Sequence, residues 1–267
     1  MIDPALRFEP SLAAYVQYCV GFVFRYFLLA GGIYWIFHVA FRQRWANWRI
    51  QPVFPEGSQI RREIRWTMLN TLCSGFSTLL LYTLVYGGYT RMYFDIGNRG
   101  WAYLVFSALL GLVAYDTWFY WQHRLLHTRW LFRHAHSVHH RSSNPSAFGG
   151  YAHHPIETFM GNAFFVLFPL VVPVHPLAFA AFGGFLLLVA LWAHAGYEVF
   201  PSGFTRHPLF RWLGTATHHN LHHSSAGHNF GIVFNYWDRW MGTNHPAYHE
   251  LFEQVTRRRM SGPAVTV

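Results

Sequence analysis

The chain has 267 residues, of which 52% are hydrophobic and 20% aromatic, while only 12% carry a charge. Its formal net charge is +9, and every basic residue is an arginine, which excludes a lysine Schiff base and a P-loop lysine. Most of the nineteen histidines lie in tight clusters, and histidine is the commonest metal-binding side chain. We therefore expect metal chemistry attached to a membrane-embedded body.

Four apolar stretches approach or exceed the roughly 20 residues that cross a bilayer as a helix. They cover residues 14–41, 66–89, 101–121 and 158–193. The last stretch is interrupted by Pro169, Pro173 and Pro176, which predicts a short hairpin of two segments. We expect an all-α, multi-pass membrane protein with about four spans, the last two forming this hairpin, capped by a helical, histidine-rich region. A soluble protein with buried helices is the alternative.

The arginines indicate the topology and the domain organisation. They are concentrated after the first span, after the third span and after the hairpin, whereas only Arg91 and Arg99 lie between the second and third spans. The positive-inside rule therefore places all the histidine clusters on the cytoplasmic side. Since the arginines follow the membrane topology, no nucleic-acid partner is expected. Residues 1–65 are predicted to be a membrane anchor with an interfacial segment, and residues 66–267 one integrated unit.

The histidines have helical spacing. Side chains three or four residues apart lie on one face of a helix, with Cβ atoms about 5–6 Å apart. This holds for one pair, His123 and His127, and for two trios, which are His136, His139 and His140, and His219, His222 and His223. These imidazoles outnumber the roughly four to six ligands of a single zinc or iron ion. The pattern predicts two metal ions.

Carboxylates are too few to be the main ligands. The chain has eleven Asp and Glu residues, and it contains neither the Glu-x-x-His motif of ferritin-like di-iron proteins nor the His-Glu-x-x-His motif of zinc proteases. Four acids in the histidine-bearing region are expected to accept hydrogen bonds from ligand N–H groups: Asp116, Glu157, Glu198 and Asp238. For Asp238 a turn cap, and for Glu198 a solvated position, remain open alternatives.

Three histidine motifs follow one another along the chain. They are His-Arg-Leu-Leu-His at 123–127, His-Ser-Val-His-His at 136–140 and His-Asn-Leu-His-His at 219–223, followed by Asn-Phe-Gly at 229–231 and Trp-Asp-Arg-Trp-Met-Gly-Thr at 237–243. This succession resembles the fatty acid hydroxylase/sterol desaturase superfamily over residues 70–245. The resemblance implies a membrane-bound non-haem di-iron enzyme that uses O₂ to hydroxylate or desaturate a lipid C–H bond.

The resemblance also implies further ligands. His194 and one histidine of the segment 152–157 would complete the metal set, and of His153 and His154 the position before Pro-Ile-Glu favours His154. His218 is expected to lie beside the ligands rather than among them. The predicted ligands are His123, His127, His136, His139, His140, His154, His194, His219, His222 and His223.

The cofactors implied by the resemblance are two Fe²⁺ ions, with O₂ as co-substrate. Electrons would come from a separate cytochrome b5-like or ferredoxin-like protein, because the chain has no flavin or nicotinamide fingerprint. The substrate cavity is expected between the histidines and the cytoplasmic ends of spans two and three, lined by Tyr115, Phe119 and Tyr120. The sequence leaves open which lipid is the substrate and whether it is hydroxylated or desaturated.

Two other classes of protein compete with this interpretation. One is a histidine-rich membrane transporter or metal-binding protein without redox catalysis, although transporter histidines usually lie within the spans or in irregular loops. The other is a haem b electron-transfer protein, which needs one histidine from each of two facing spans. Haem ligation would leave most of the histidine motifs without a purpose.

Overall fold

The structure is a computed structural model that describes residues 8–260. Residues 1–7 of the first predicted unit and residues 261–267 of the second lie outside the described residues. Over residues 8–260 the chain is helical and contains only two isolated β-bridges. Ten α-helices are joined by loops and by short 3₁₀ and π-helical turns. They are α1 Leu12–Tyr34, α2 Gly57–Tyr86, α3 Gly100–Leu126, α4 Arg129–Leu131, α5 Ser137–His140, α6 Pro155–Val171, α7 Pro176–Ala193, α8 Ala216–Ser224, α9 Tyr236–Trp240 and α10 Tyr248–Met260. The predicted all-α fold is confirmed.

Four helices of the described chain are long and apolar enough to cross a membrane. These are α1 together with the π-helical turn Trp35–Ala40, and α2, α3 and α7. Helix α6 is apolar but shorter, with 17 residues, and it leads through Pro173 into α7. These two helices are the hairpin that the proline pattern predicts.

Both helices of the hairpin begin in the same way. Pro155 and Pro176 occupy the first helical position, where the missing N–H of proline costs nothing and its fixed φ suits the helix. The residue before each proline is a histidine whose Nδ1 accepts a backbone N–H of the first turn: His154 from Ile156 and His175 from Leu177. Helix capping therefore uses the imidazole of His154.

The chain before the second span packs against the rest of the protein. The N–H of Ile50 donates to the carbonyl of Gly196 (3.0 Å), and the N–H of Glu198 donates to the carbonyl of Trp48 (2.9 Å). Helix α2 begins at Gly57, so the predicted domain boundary at residue 65 falls inside a helix. The division into two units stays a prediction.

Two apolar clusters hold the spans together. One joins α3, α6 and α7 through aromatic side chains such as Phe164, Phe168 and Phe182, and the other joins α1, α2 and the 3₁₀ turn Ala147–Tyr151 to α7. This turn approaches α7 so closely that a Cβ on Gly150 would lie 2.9 Å from the carbonyl oxygen of Ala190. Glycine is therefore required at position 150, one turn of α7 away from His194.

A buried carboxylate connects α2 to the segment that follows the second histidine motif. Glu63 is 1% exposed, and its oxygens accept hydrogen bonds from the Gln59 amide (2.8 Å) and from the hydroxyl of Ser146. Glu63 was not among the acids expected at the site, because it lies far from the histidines along the chain. The contact ties the second span to the turn at residues 147–151.

We expect Glu63→Ala to lower the free energy of unfolding by about 1–3 kcal/mol, because it leaves buried donors without an acceptor. Denaturant unfolding of the purified protein in detergent measures this change. Glu56→Ala is the matched control, since Glu56 is exposed at the start of the same helix. Equal effects of the two substitutions would contradict the role given to Glu63.

Candidate metal centre

Nine histidines form two groups, and within each group one ring nitrogen per residue lies within 4.8 Å of those of the other members. The first group contains His123, His127, His136, His140 and His222. The second contains His139, His194, His219 and His223. Nine of the ten predicted ligands thus belong to a group that could hold a metal ion, and their role as ligands stays a prediction.

Each group draws its rings from several elements. His123 lies in the last turn of α3 and His127 caps that helix, while His194 caps α7. The middle motif spans the π-helical turn Phe132–His136 and α5, and the last motif lies on α8.

The two groups are neighbours, because two pairs of consecutive histidines are divided between them. His140 belongs to the first group and His139 to the second, and their ring centroids are 5.8 Å apart. In the same way His222 belongs to the first group and His223 to the second, with centroids 5.9 Å apart.

The ε nitrogens converge within both groups. In the first group, the Nε2 atoms of His123 and His136 are 3.0 Å apart, and Nε2 of His222 lies 3.0 Å from that of His140 and 3.2 Å from that of His127. In the second group, Nε2 of His194 lies 3.2 Å from that of His139, 3.0 Å from that of His219 and 3.1 Å from that of His223.

Acceptors on the opposite side of the rings fix the tautomers of four of these histidines. The Nδ1–H of His123 donates to the carbonyl of Phe230 (2.8 Å), and that of His222 donates to the carbonyl of His228 (2.7 Å). The Nδ1–H of His194 donates to the carbonyl of Ala190 (2.6 Å), and that of His136 donates to Glu157 (2.9 Å). A carbonyl or an ionised carboxylate only accepts hydrogen bonds, so Nδ1 carries the proton. Nε2 is then left with a lone pair.

A cation fits between the facing nitrogens of His123 and His136. While Glu157 is ionised, His123 and His136 both carry their proton on Nδ1, so no hydrogen bond can join their Nε2 atoms, which are 3.0 Å apart. A metal bound at about 2.1 Å by two nitrogens at right angles would hold them about 3.0 Å apart. The donor set and its spacing therefore fit a metal ion.

Burial keeps the imidazoles in the neutral form that binds metals. Desolvation lowers the pKa of His136 and His140 to about 3 and that of His194 to about 4, and the neighbouring His136 lowers that of His140 further. Burial first, and then other histidines of the site, hold the pKa of His222 and His223 well below the ordinary value. The rings are thus ready to bind metal at neutral pH without first losing a proton.

Of the four acids singled out in the sequence, one contacts a grouped histidine directly. Glu157 accepts the Nδ1–H of His136, and its other oxygen lies 3.7 Å from Nε2 of His153. Glu198 is buried and accepts the N–H and the hydroxyl of Thr217 at the start of α8, so it is not the solvated residue of the open alternative. Through Thr217 it positions the helix that carries the last motif.

Asp116 and Asp238 act on the backbone instead. Asp116 was expected to accept an imidazole N–H, but its carboxylate accepts the backbone N–H groups of Val233 and Phe234 (3.0 and 3.2 Å). Asp238 accepts those of Phe230 and Gly231 (both 2.8 Å). Both acids therefore hold the loop whose Phe230 carbonyl orients His123.

The structure places His154 outside both groups. Its Nδ1 caps α6, whereas the ring of its neighbour His153 lies 5.0 Å from that of His139. The position beside the metal groups thus belongs to His153, because the turn into Pro155 directs the two consecutive rings to different sides. His218 is also outside the groups, with Nε2 3.3 Å from Asn244 Oδ1 and 3.6 Å from Asp238.

The expected cavity residues behave differently from one another. The ring of Phe119 lies 5.0 Å from that of His123, so it borders the first group from the membrane side. Tyr115 stacks further along α3 against Phe164 and Phe165. Tyr120 is fully buried, and its hydroxyl lies 3.0 Å from that of Thr243, so it packs against the C-terminal segment.

Comparison with known proteins agrees with this arrangement. The family model described as fatty acid hydroxylase matches residues 108–243, just over half of the chain. Rat lathosterol oxidase is 32% identical over 197 residues, which are 72% of this chain and 64% of that protein. A Δ7-sterol 5(6)-desaturase of Aspergillus fumigatus is 27% identical over 94% of this chain and 72% of its own length. Rat methylsterol monooxygenase 1 is 30% identical over 59% of this chain and 52% of its own length.

The match to the rat lathosterol oxidase therefore covers less than two thirds of that relative. No solved structure matched the chain.

We expect His222→Ala to reduce the bound metal from two ions to about one per chain, because it removes only the first group's central imidazole. Elemental analysis of the purified protein measures the stoichiometry. His134→Ala is the control, since His134 is exposed and lies outside both groups. Unchanged metal content in His222→Ala would contradict the assignment of this group.

After metal removal, the protein should lose stability as the pH falls from about 7.5 to about 5. The pKa values of His136, His140 and His194 lie at about 3 or 4 in the folded chain, below the ordinary 6.5. Between these values the unfolded chain binds protons that the folded chain does not, so acidification favours unfolding. Melting temperatures at the two pH values test this, and an equal or higher value at the acidic pH would contradict it.

Proposed function

Because the chain belongs to the fatty acid hydroxylase family, we propose that this integral membrane protein is an O₂-dependent di-iron enzyme that hydroxylates or desaturates a lipid C–H bond. The observation that carries the proposal is the pair of adjacent histidine groups whose ε nitrogens converge at about 3 Å. Two metal ions side by side are what a di-iron oxygenase requires.

The donor set favours iron over zinc. Structural zinc is almost always tetrahedral with four ligands. Two nitrogens bound at about 2.1 Å with a tetrahedral angle between them would be about 3.4 Å apart. The first group instead offers five imidazoles, with spacings of 3.0–3.2 Å. When bound, two Fe²⁺ ions would supply the reductive activation of O₂ that abstraction of hydrogen from an unactivated carbon needs.

The residues of the chain hold this centre in place and keep it dry. His136, His219 and His222 are at most 2% exposed, so electrostatic interactions in the site are little screened by water. Glu157 orients His136, and the loop held by Asp116 and Asp238 orients His123. Rings fixed from behind in this way keep their ε nitrogens directed at the metals.

The membrane side of the centre suits a lipid substrate. Phe119 borders the first group, and the aromatic cluster of α3, α6 and α7 continues from it toward the membrane interior. A dry, apolar approach of this kind excludes water from the reacting carbon. The names of the relatives favour a sterol among the lipid classes.

The electrons would come from a separate protein on the cytoplasmic side, as the arginine distribution indicates. Exposed arginines accompany the second histidine motif at positions 129, 133 and 141. A basic surface so near the metal groups favours an acidic electron carrier of the cytochrome b5 or ferredoxin type.

Expression in a host that lacks the gene, followed by lipid mass spectrometry, tests the function. Under air the wild type should produce a lipid that has gained one oxygen or lost two hydrogens, and this product should disappear without O₂. His139→Ala should abolish it, because it removes a ligand of the second group, while His134→Ala should retain it. Metal uptake by the cells without any change in lipids would instead establish the transporter alternative.

A further inference from the structure

Helix α2 carries a buried polar stripe inside the membrane-spanning part of the protein. Thr67, Asn70, Thr71 and Ser74 are all at most 6% exposed and lie on one face of this span. Polar groups at membrane depth are costly unless they have partners, and they usually mark a function. This stripe faces α6, the helix that begins beside the metal groups.

Hydrogen bonds connect the stripe into a chain that ends on α6. The amide of Asn70 donates to the carbonyl of Tyr151 (2.8 Å), and its oxygen accepts the hydroxyl of Ser74 (2.9 Å). Ser74 in turn accepts the amide of Asn162 on α6 (2.9 Å). On the other flank, Tyr18 of α1 lies beside Ser74 and Thr78.

The far end of this chain has hydrogen-bonding capacity that the protein does not use. Within residues 8–260, the amide oxygen of Asn162 and the hydroxyls of Tyr115 and Tyr151 make no hydrogen bond. None of these atoms is fully buried, so each keeps some surface that a ligand can contact. The ring of Tyr151 lies 5.4 Å from that of Phe22 on α1, which lies 6.2 Å from the ring of Tyr18 beside Ser74, so Tyr151 borders the same cluster.

The polar stripe lies next to the second metal group. The amide nitrogen of Asn70 is 3.4 Å from Nδ1 of His153, whose ring lies 5.0 Å from that of the grouped His139. A polar group of a lipid bound here would be separated from the metals by the width of about one side chain. The carbons attached to that group would then be the ones nearest to the metals.

We propose that Ser74, Tyr151 and Asn162 form a binding site for a hydroxyl group of a lipid, and that this site selects substrates oxidised within a few bonds of that hydroxyl. A hydroxyl both donates and accepts, so it matches the amide oxygen of Asn162 and the phenol of Tyr151. The statement about the oxidised carbon rests on the proposed function, whereas the binding of the hydroxyl does not.

Helix packing alone does not account for the cluster. Asn70 and Ser74 would hold α2 against its neighbours without any ligand, since their bonds to Tyr151 and Asn162 are internal. The amide oxygen of Asn162 and the hydroxyl of Tyr151, which make no hydrogen bond within residues 8–260, add nothing to that packing. A site built to bind a hydroxyl discriminates strongly against a ligand that lacks one, because its own polar groups are then left without partners.

Two pairs of radiolabelled probes test the site by equilibrium binding in phosphatidylcholine nanodiscs. They are cholesterol with cholesteryl methyl ether, and octadecanol with octadecyl methyl ether. The wild type should bind the free alcohol of at least one pair about tenfold more tightly than the ether. Tyr151→Phe and Asn162→Leu, which remove the polar atoms but keep the size, should each reduce this preference several-fold.

Ser107→Ala is the matched control, because it removes a buried hydroxyl from α3 that bonds to the Leu104 carbonyl and lies outside the cluster. It should keep the full preference. Metal content and melting temperature of all variants show whether they fold.

A folded Tyr151→Phe and a folded Asn162→Leu that both keep the wild-type preference would overturn the proposal, as would a wild type without any preference. Preference for the alcohol in a protein that oxidises no lipid would retain the site and overturn the proposed function. Lipid oxidation by a protein without any preference for the alcohol would retain the proposed function and overturn the hydroxyl-binding site.

Discussion

The structure depends on one electrostatic constraint, which is that nine neutral and largely buried imidazoles direct their ε nitrogens toward one another within two adjacent groups. Nitrogen lone pairs at about 3 Å repel one another, and in a low dielectric that repulsion is strong. A cation held within each group would turn the arrangement into an attractive one. Because the imidazoles bring no negative charge, the centre stays strongly positive when loaded, unlike a carboxylate-ligated di-iron centre.

The few acids of the chain support this centre from a distance. Asp116 and Asp238 bind backbone amides of the loop after α8, Glu198 binds the first turn of α8, and Glu63 binds the segment before α6. Glu157 is the only one of these acids that accepts an imidazole N–H directly. The carboxyl groups therefore fix the elements that carry the rings, and most of them make no contact with the grouped histidines.

Spacing along the sequence was sufficient to predict the fold class and most of the grouped histidines. Apolar stretches of bilayer length predicted the spans, but α2 extends back to Gly57 through a polar segment that hydropathy cannot recognise. The choice between His153 and His154 depends on the turn into Pro155, which sends consecutive side chains to different sides, and spacing carries no information about that.

Contacts with the backbone were likewise out of reach of sequence reasoning. Asp116 lies two helical turns before His123 and was expected to serve an imidazole, yet its partners are amides 117 and 118 residues later in the chain. The polar stripe of α2 could have been noticed as Asn70 and Ser74 within an apolar run, one turn apart. Its link to Asn162 appears only once α2 and α6 are packed together.

The loop at residues 228–231 has a consequence for how the site tolerates change. It orients His222 and His123 through the main-chain oxygens of His228 and Phe230. Replacing either side chain leaves those oxygens in the chain, so alanine scanning would underrate the loop. Inserting or deleting one residue would shift both oxygens at once. The geometry of the site therefore depends here on the length of the segment more than on the identity of its side chains.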